Sequence, residues 1–254
     1  SQRLQCGRAH RLANRIVGND ESAAALESLG GGLALRATRH CVVAVTGAKG
    51  PVHIDGVPAD RGTPLHLAPG QVISLGPPAA GLRSIVAIRG GIASASVLGS
   101  RSRDTLSGLG PNPLAPGETL AVSDTYGTMN VDHVPSGALP QTLELRLHPG
   151  PRREWLSARS RETLAETTFR VGSDSDRIGV RLDGPTLDLQ ESRRLASEGV
   201  VRGSLQVPPD GRPVILGPDH PVTGGYPVVG VVDDIDALAQ AVPGTPVRFA
   251  LIGW

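Results

Sequence analysis

Residues 33–76 read LALRATRHCVVAVTGAKGPVHIDGVPADRGTPLHLAPGQVISLG, and this stretch decides the fold class. It consists of short alternating or β-branched runs that are separated by Gly, Pro and Asp. Such runs are typical of strands joined by tight turns. Many short strands at close spacing favour a barrel or a sandwich. The stretch therefore predicts a mostly β protein with only a few short helices.

The chain is predicted to contain two β-rich halves. Residues 123–141, SDTYGTMNVDHVPSGALPQ, contain few apolar runs and are typical of a linker. TLELRLHPGP at 142–151 then restarts a strand. We place the boundary within this linker, which gives an N-terminal domain at residues 1–136 and a C-terminal domain at residues 137–254.

Helices are predicted in three segments. AHRLANRIVGNDESAAALE at 9–27 predicts a helix that is interrupted at Gly18 and resumes over ESAAALE, since Ala, Leu and Glu favour helices. Residues 151–171 predict one or two helices with Trp155 facing inward. IDALAQA at 235–241 predicts a short helix with a preceding aspartate, 233 or 234, as its N-cap.

The composition excludes several classes of protein. A net charge of +1 over 254 residues provides no basic field for nucleic acid. No stretch approaches the ~18 consecutive apolar residues of a membrane span, and residues 1–10 lack a signal-peptide centre. Cys6 and Cys41 form neither a disulfide framework nor a zinc spacing, and the histidines show no metal spacing. We therefore expect a cytoplasmic protein without a metal site.

A series of motifs supports a family resemblance. In chain order they are IVAIRGGI (85–92), VLGSRSRDTLSGLG (97–110), APGETL (115–120), LRLHPGPRREW (145–155), SDSDRIGVRLDGP (173–185), SEGVVRGSLQVPPDGRPVIL (197–216), VTGGYPVVGVV (222–232) and PGTPVRF (243–249). In this order the chain resembles the allophanate hydrolase subunit 2, or biotin-dependent carboxyltransferase, family from about Ala9 onward. That family includes the C component of the bacterial ATP-dependent 5-oxoprolinase, the antagonist of the Kip kinase inhibitor, and a module of urea carboxylase.

The resemblance implies a fold, partners and an activity. It implies two cyclophilin-like β-barrel subdomains and a partner chain of the allophanate hydrolase subunit 1 type, which is the B component of 5-oxoprolinase. A third 5-oxoprolinase subunit is implied as well, and the complex opens 5-oxoproline to glutamate at the expense of ATP. Two alternatives stay open: carboxyl transfer from carboxybiotin to a urea-type acceptor, and non-enzymatic antagonism of a kinase inhibitor. Neither nucleic acid nor a membrane is expected as a partner.

The N-terminus departs from the family pattern. Family members begin with a strand, a QDxGR-type turn and a GV-P-x-SG-x-D-type loop before the RLANRLVGN helix. Here SQRLQCGR (1–8) runs straight into the helix, so most of that loop is missing. If the loop lines the site, we expect some site residues to be missing with it.

Two motifs are candidates for anion binding. In GSRSRD (99–104), Arg101, Ser102 and Asp104 together with glycine and serine amides suit a carboxylate or phosphate, although a polar turn would give the same pattern. Arg177 and Arg181 lie four residues apart, which places them on one face if both belong to a strand. Together they suit a substrate carboxylate, and a surface pair bridging nearby aspartates is the alternative.

Residues 197–227 hold the candidate amide-recognition site. Ser197 and Glu198 form a predicted turn, and Glu198 would serve as a base if its pKa were raised by burial. Gln206 both donates and accepts, as recognition of an amide or ureido group requires. Tyr226 follows the flexible amides of the TGG segment. We assign catalysis to Glu198, Gln206 and Tyr226, and the structural alternative is a turn at Ser197–Gly199 with Gln206 at a strand edge.

The remaining residues of this stretch are assigned to substrate binding. They are Ser197, Thr223, Gly224 and Gly225, and an ordinary hairpin turn is their structural alternative.

Several catalytic signatures are absent from the sequence. It contains no GxxxxGK[ST] loop, so ATP binding by this chain alone has no signature. It contains no GxSxG nucleophile motif. Lys49 lies in TGAKGP and not between methionines, so biotin would come from a partner and only under the carboxyl-transfer alternative.

Overall fold

The computed structural model describes residues 6–124, 126–129, 133–134, 137–190 and 195–254. The chain divides into two compact units, of which the first comprises Ser1–Arg103 and Leu109–Leu139 and the second Asp104–Gly108 and Pro140–Trp254. The sequence-based boundary at 136 falls on a residue outside the described part, as do residues 1–5. The domain limits therefore stay a prediction.

The first unit is built from one helix and two sheets. Its elements are α1 (Gly7–Ile16), β1 (Leu26–Leu29), β2 (Ala34–Arg36), β3 (Cys41–Lys49), β4 (Val52–Ile54), β5 (Val57–Ala59), β6 (Leu65–Leu67), β7 (Val72–Leu75) and β8 (Ala80–Ile88). The strands pair in the orders β1-β8-β3-β6 and β2-β7-β4-β5. Alternate side chains of the strands point inward, so Val45, Ile73 and Val86 are fully buried in a shared core.

The chain after α1 differs from the prediction, because ESAAALE is not helical. Gly18 has a φ of 74°, a left-handed conformation that ends a helix. The Asn14 amide donates to the carbonyl oxygen of Ala23 at 2.9 Å and holds the following residues in a turn. Strand β1 then begins at Leu26 and pairs with β8. Strand pairing thus outweighs the helix preference of these residues.

The second unit contains a closed barrel. Its elements are β9 (Leu143–Pro149), α2 (Ala158–Glu166), β10 (Phe169–Val171), β11 (Gly179–Asp183), β12 (Glu198–Gly199), β13 (Ser204–Gln206), β14 (Val214–Leu216), β15 (Thr223–Gly224), β16 (Val228–Val232) and β17 (Pro246–Leu251), with 3₁₀ turns at Arg153–Trp155 and Leu238–Gln240. The barrel runs β10-β11-β14-β13-β16-β9-β17. Phe169 and Phe249 meet edge-to-face inside it, with ring centroids 6.0 Å apart.

The helix predicted within residues 151–171 is confirmed. Trp155 is 4% exposed, and Ser157 caps α2 by accepting a hydrogen bond from the amide of Ser160 at 3.0 Å. The helix predicted over 235–241 is only the short 3₁₀ turn, which has no side-chain cap.

The predicted fold class is confirmed as mostly β with short helices. Within the described residues, no helix is long and apolar enough to cross a membrane. No disulfide joins Cys6 and Cys41.

Candidate functional site

Two short strands bring predicted site residues together in the second unit. β12 and β15 pair antiparallel, so that Glu198 lies opposite Gly224 and Gly199 lies opposite Thr223. These residues are 24 or more positions apart in the sequence, and only this ribbon makes them neighbours. We call the pair of strands the β12–β15 ribbon.

Gln206 lies under the ribbon. Its side chain belongs to β13, is 6% exposed, and donates from Nε2 to the carbonyl oxygen of Tyr226 at 3.1 Å. A Cβ on Gly224 would lie 2.9 Å from the same Nε2, so a side chain there would displace the amide. Within the described residues nothing donates to Gln206 Oε1. These contacts therefore fix the orientation of the Gln206 amide and leave Oε1 as an acceptor without a donor among the described residues.

Glu198 is held by a residue that the sequence analysis missed. Arg152 Nη2 donates to Glu198 Oε2 at 2.7 Å, and the two side chains are 33% and 23% exposed. This bond and the carboxylate charge raise the pKa of Arg152 above its usual range. The other oxygen, Glu198 Oε1, is buried without a hydrogen-bond partner in the described part of the chain. Glu198 is therefore ion-paired, and not isolated by burial as the base hypothesis required.

The remaining residues of the stretch surround these groups. Tyr226 is 47% exposed, and Thr223, Gly225 and Ser197 are also exposed. Tyr226 reaches Gln206 through its backbone carbonyl, which leaves the phenol at the solvent-facing rim. The structure thus gathers polar groups at one end of the second unit, while the roles assigned to them stay predictions.

A second polar cluster centres on Asp219, which the sequence analysis also missed. Asp219 is 0% exposed. Its carboxylate accepts from the backbone amide and the hydroxyl of Thr105, each at 2.8 Å. It also accepts from Arg177 Nε at 2.9 Å and Nη2 at 3.2 Å. A buried carboxylate with this many donors is satisfied, as charges in protein interiors generally are.

Arg177 and Arg181 contact different aspartates. Arg177 precedes β11, so the expectation that both arginines lie on one strand face is wrong. Arg177 binds Asp219, whereas Arg181 Nε lies 3.4 Å from Asp174. The alternative of pairs with nearby aspartates is closer to what the structure shows. Their role as a substrate clamp stays a prediction.

The candidate anion-binding residues of GSRSRD (99–104) form hydrogen bonds with other residues of the chain. Asp104 Oδ1 accepts from the amides of Leu106 and Ser107 at 2.9 and 3.0 Å. In the first unit, Arg101 Nε donates to the carbonyl oxygen of Ser94 at 3.2 Å, and the Ser102 amide donates to a neighbouring serine hydroxyl. These contacts are those of a polar turn, which was the structural alternative.

A cavity of about 1120 Å³ lies in the first unit and contains none of the predicted site residues. Its walls come from β2, β3, β6 and β7, and residues 117–124 with Tyr126 also line it. This cavity and the predicted chemistry are therefore in different parts of the sequence. Among the described residues, no group of three or more His, Cys, Asp or Glu side chains is arranged to hold a metal ion.

Residues 7–251 match the family model described as carboxyltransferase domain, subdomain A and B. The chain belongs to this carboxyltransferase-domain family. The family resemblance predicted from the motif series is thereby confirmed.

Curated members of the carboxyltransferase-domain family include enzymes of two kinds. The chain is 33% identical over 249 residues to the C component of the 5-oxoprolinase of Escherichia coli, and the match covers 95% of this chain and 79% of that component. It is 29% identical over 275 residues to the urea amidolyase of Saccharomyces cerevisiae, covering 96% of this chain but 15% of that protein. Family members are thus subunits or domains of larger enzymes.

Two solved structures share the fold of this chain. The protein TTHA0988 is 33% identical and superposes with a TM-score of 0.87 over 97% of this chain, which spans about half (49%) of that chain's length. The urea amidolyase of K. lactis superposes with a TM-score of 0.90 over 98% of this chain and 17% of its own, at 24% identity. Both comparisons support the fold.

Sequence signals for the missed residues are weak. Arg152 lies in the family motif LRLHPGPRREW, but nothing in that motif indicates a partner 46 residues away. Asp219 lies within residues 197–227, the stretch that holds the candidate amide-recognition site. Both residues are recognisable only once strands from distant segments are paired.

Proposed function

We propose that this chain is the C component of an ATP-dependent 5-oxoprolinase and that the β12–β15 ribbon forms one wall of its lactam site. The observation that carries the proposal is that Gly224 lies opposite Glu198 on the β12–β15 ribbon and next to the side chain of Gln206 on β13. One carboxylate oxygen and one amide oxygen there have no donor among the described residues. The identity to the corresponding component of the Escherichia coli 5-oxoprolinase supports it.

These two oxygens suit an amide N–H. A lactam has one N–H donor, one carbonyl acceptor and, in 5-oxoproline, a carboxylate. Gln206 Oε1 is an acceptor for the N–H because its Nε2 is already engaged. Glu198 Oε1 is a second acceptor, and the ion pair with Arg152 orients the carboxylate. We assign recognition of the lactam nitrogen to these two side chains.

Partner chains complete the site under this proposal. Opening the ring adds water across the lactam C–N bond and is driven by ATP. The sequence lacks a phosphate loop, so we assign ATP to the assembled complex with a B-type partner chain and a third component. The expected consequence is that the isolated chain is inactive.

The test is reconstitution with the partner chains and measurement of 5-oxoproline-dependent ATP hydrolysis. Glu198→Gln is expected to raise the KM for 5-oxoproline about tenfold, because a charge-assisted hydrogen bond to the lactam N–H is lost. Glu166→Gln is the matched control, because Glu166 is exposed at the end of α2. Turnover by the isolated chain, or no turnover after the partners are added, would refute the proposal.

Carboxyl transfer to a urea-type acceptor is the second candidate. The 29% identity to the urea amidolyase of Saccharomyces cerevisiae favours it, and the same Gln206 acceptor suits a urea N–H. The discriminating measurement is a pull-down against a biotinylated carrier protein. Stable capture of the carrier and carboxylation of urea, without activity on 5-oxoproline, would replace the first proposal by this one.

A further inference from the structure

The cavity of the first unit lies at an unclosed edge between two sheets. In that unit β6 and β2 are terminal strands of their sheets, since the pairing orders end at each of them. Residues of both strands line the cavity, among them Leu35 and Leu67. The second unit closes its barrel through β17, which pairs with both β9 and β10. The first unit therefore has an open edge between β2 and β6, whereas the barrel of the second unit is closed.

The floor of the cavity is apolar. Val43, Leu67, Ile73 and Ile88 line it, and all four belong to the buried core of the first unit. Cys41 also lines it, and burial raises the pKa of its thiol, so the sulfur is a neutral, apolar surface and not a nucleophile. A ligand that enters the gap meets an apolar interior.

The rim of the cavity carries excess positive charge. Arg39 Nη2 lies 3.3 Å from Asp124 and is neutralised by it. Arg36 and Arg89 bind carbonyl oxygens instead, and neither is paired with an acid in the described part of the chain. Glu118 is the other acidic group in the lining.

The guanidinium of Arg89 is held in place at this rim. It lies 4.1 Å from the centroid of the Tyr126 ring and donates to Val17 O at 2.8 Å and Gly127 O at 2.9 Å. His40 and His66 are exposed at the same cavity.

We propose that this cavity binds an organic carboxylate with an apolar body. The volume of about 1120 Å³ is slightly above the usual range of small-molecule pockets, which is about 300–1,000 Å³. An apolar floor with a few polar groups at the rim is the usual pattern of such pockets. Arginine matches a carboxylate with two parallel hydrogen bonds, so Arg36 is assigned the carboxylate contact. The site is independent of the proposed lactam chemistry.

The experiment is isothermal titration of the whole chain with three probes. 4-Phenylbutyrate supplies both the carboxylate and the apolar body, 4-phenylbutanol lacks the charge, and acetate lacks the body. Saturable binding of 4-phenylbutyrate is expected. The alcohol should bind at least about tenfold more weakly because it loses a charge-assisted hydrogen bond, and acetate at least about tenfold more weakly because it buries no apolar body. No saturable binding, or equal binding of the acid and the alcohol, overturns the proposal.

Matched variants locate the bound probe. Arg36→Gln is expected to weaken 4-phenylbutyrate at least about fivefold, since a charge-assisted hydrogen bond is lost. Arg170→Gln is the control, because Arg36 and Arg170 both lie on short strands and each donates Nη1 to a glycine carbonyl at 3.0 Å. Ala34→Trp, at an exposed lining position on β2, is expected to abolish binding. Unchanged affinity in both Arg36→Gln and Ala34→Trp overturns the assignment, and unchanged far-UV circular dichroism confirms that the variants fold.

Discussion

Replacing Asp219 by alanine tests the buried cluster of the second unit. Asp219 is 0% exposed, and Arg177, which it binds through two nitrogens, is 17% exposed. The substitution removes the carboxylate that Arg177 contacts and also the acceptor for the amide and hydroxyl of Thr105. Breaking a buried ion pair by removing one partner costs about 3–5 kcal/mol. Thr105 is exposed and regains hydrogen bonds from water, so it adds little to this loss.

A double variant separates the ion pair from the shape of the site. Arg177→Met with Asp219→Leu replaces both charges by apolar groups, and such replacements are often close to neutral in stability. We therefore expect the double variant to recover most of the stability that Asp219→Ala loses. Arg177→Met with Asp219→Ala keeps the cavity but removes the unpaired charge, so recovery of stability in that variant as well would assign the loss to the charge.

The assay is urea unfolding followed by tryptophan fluorescence. The chain has two tryptophans, Trp155 and Trp254, and both belong to the second unit, so the signal reports that unit. A shift of the midpoint at constant slope measures the change in the free energy of unfolding. A loss below about 1 kcal/mol for Asp219→Ala, a value typical of exposed pairs, would show that the cluster is not the buried anchor inferred from its contacts.

Three further predictions concern other positions. Gly90→Ala is expected to destabilise the first unit by about 3 kcal/mol, because the φ of Gly90 is 98° and a Cβ would overlap the carbonyl oxygen of Ser123. Unchanged amide exchange in β3 and β8 would contradict this. The hydrogen bond from His148 holds the pKa of Asp233 below its ordinary 3.8, so its contribution to stability is present above pH 3.8 and is lost as the pH falls further. Asp233→Asn should therefore reduce the loss of stability at acid pH, measured by tryptophan fluorescence, and an unchanged loss contradicts this. Burial lowers the pKa of His10 from 6.5, so the stability of the first unit falls as the pH drops below 6.5. In His10→Gln, amide exchange in α1 should no longer depend on pH in this way, and an unchanged pH dependence contradicts the prediction.

The sequence predicts the strands well because their signal is local. Alternating and β-branched runs within residues 33–92 lie where β2 to β8 are found. The predictions that were wrong depended on distant partners. ESAAALE has the composition of a helix, yet its last residues pair with β8, 56 or more positions away. A propensity read from a short window contains no information about such pairing.

The residues proposed for the site could be selected from the sequence by residue type, whereas the contacts between them could not. Glu198, Gln206 and Tyr226 were singled out by residue type, and the structure places them together through β12, β13 and β15. The partner of Glu198 was not predictable, because Arg152 precedes it by 46 positions and the chain is rich in arginine. The assignment of Glu198 as a base depended on an isolated carboxylate, and this contact removes the isolation.

The second unit has a closed barrel and the first unit has two open sheets, and this difference is consistent with the different roles that we propose for them. A barrel closed by β9, β10 and β17 is filled by its own side chains, so polar chemistry in the second unit has to lie outside the barrel, as on the β12–β15 ribbon. In the first unit the edges β2 and β6 stay apart, so an apolar interior is accessible beside arginines that bind carbonyl oxygens. Recognition of an amide needs fixed hydrogen bonds and little volume, whereas an amphipathic carboxylate needs volume and one charge. Substitutions at Arg36 and at Glu198 should therefore act independently, and any coupling between 4-phenylbutyrate binding and turnover would have to come from the assembled complex.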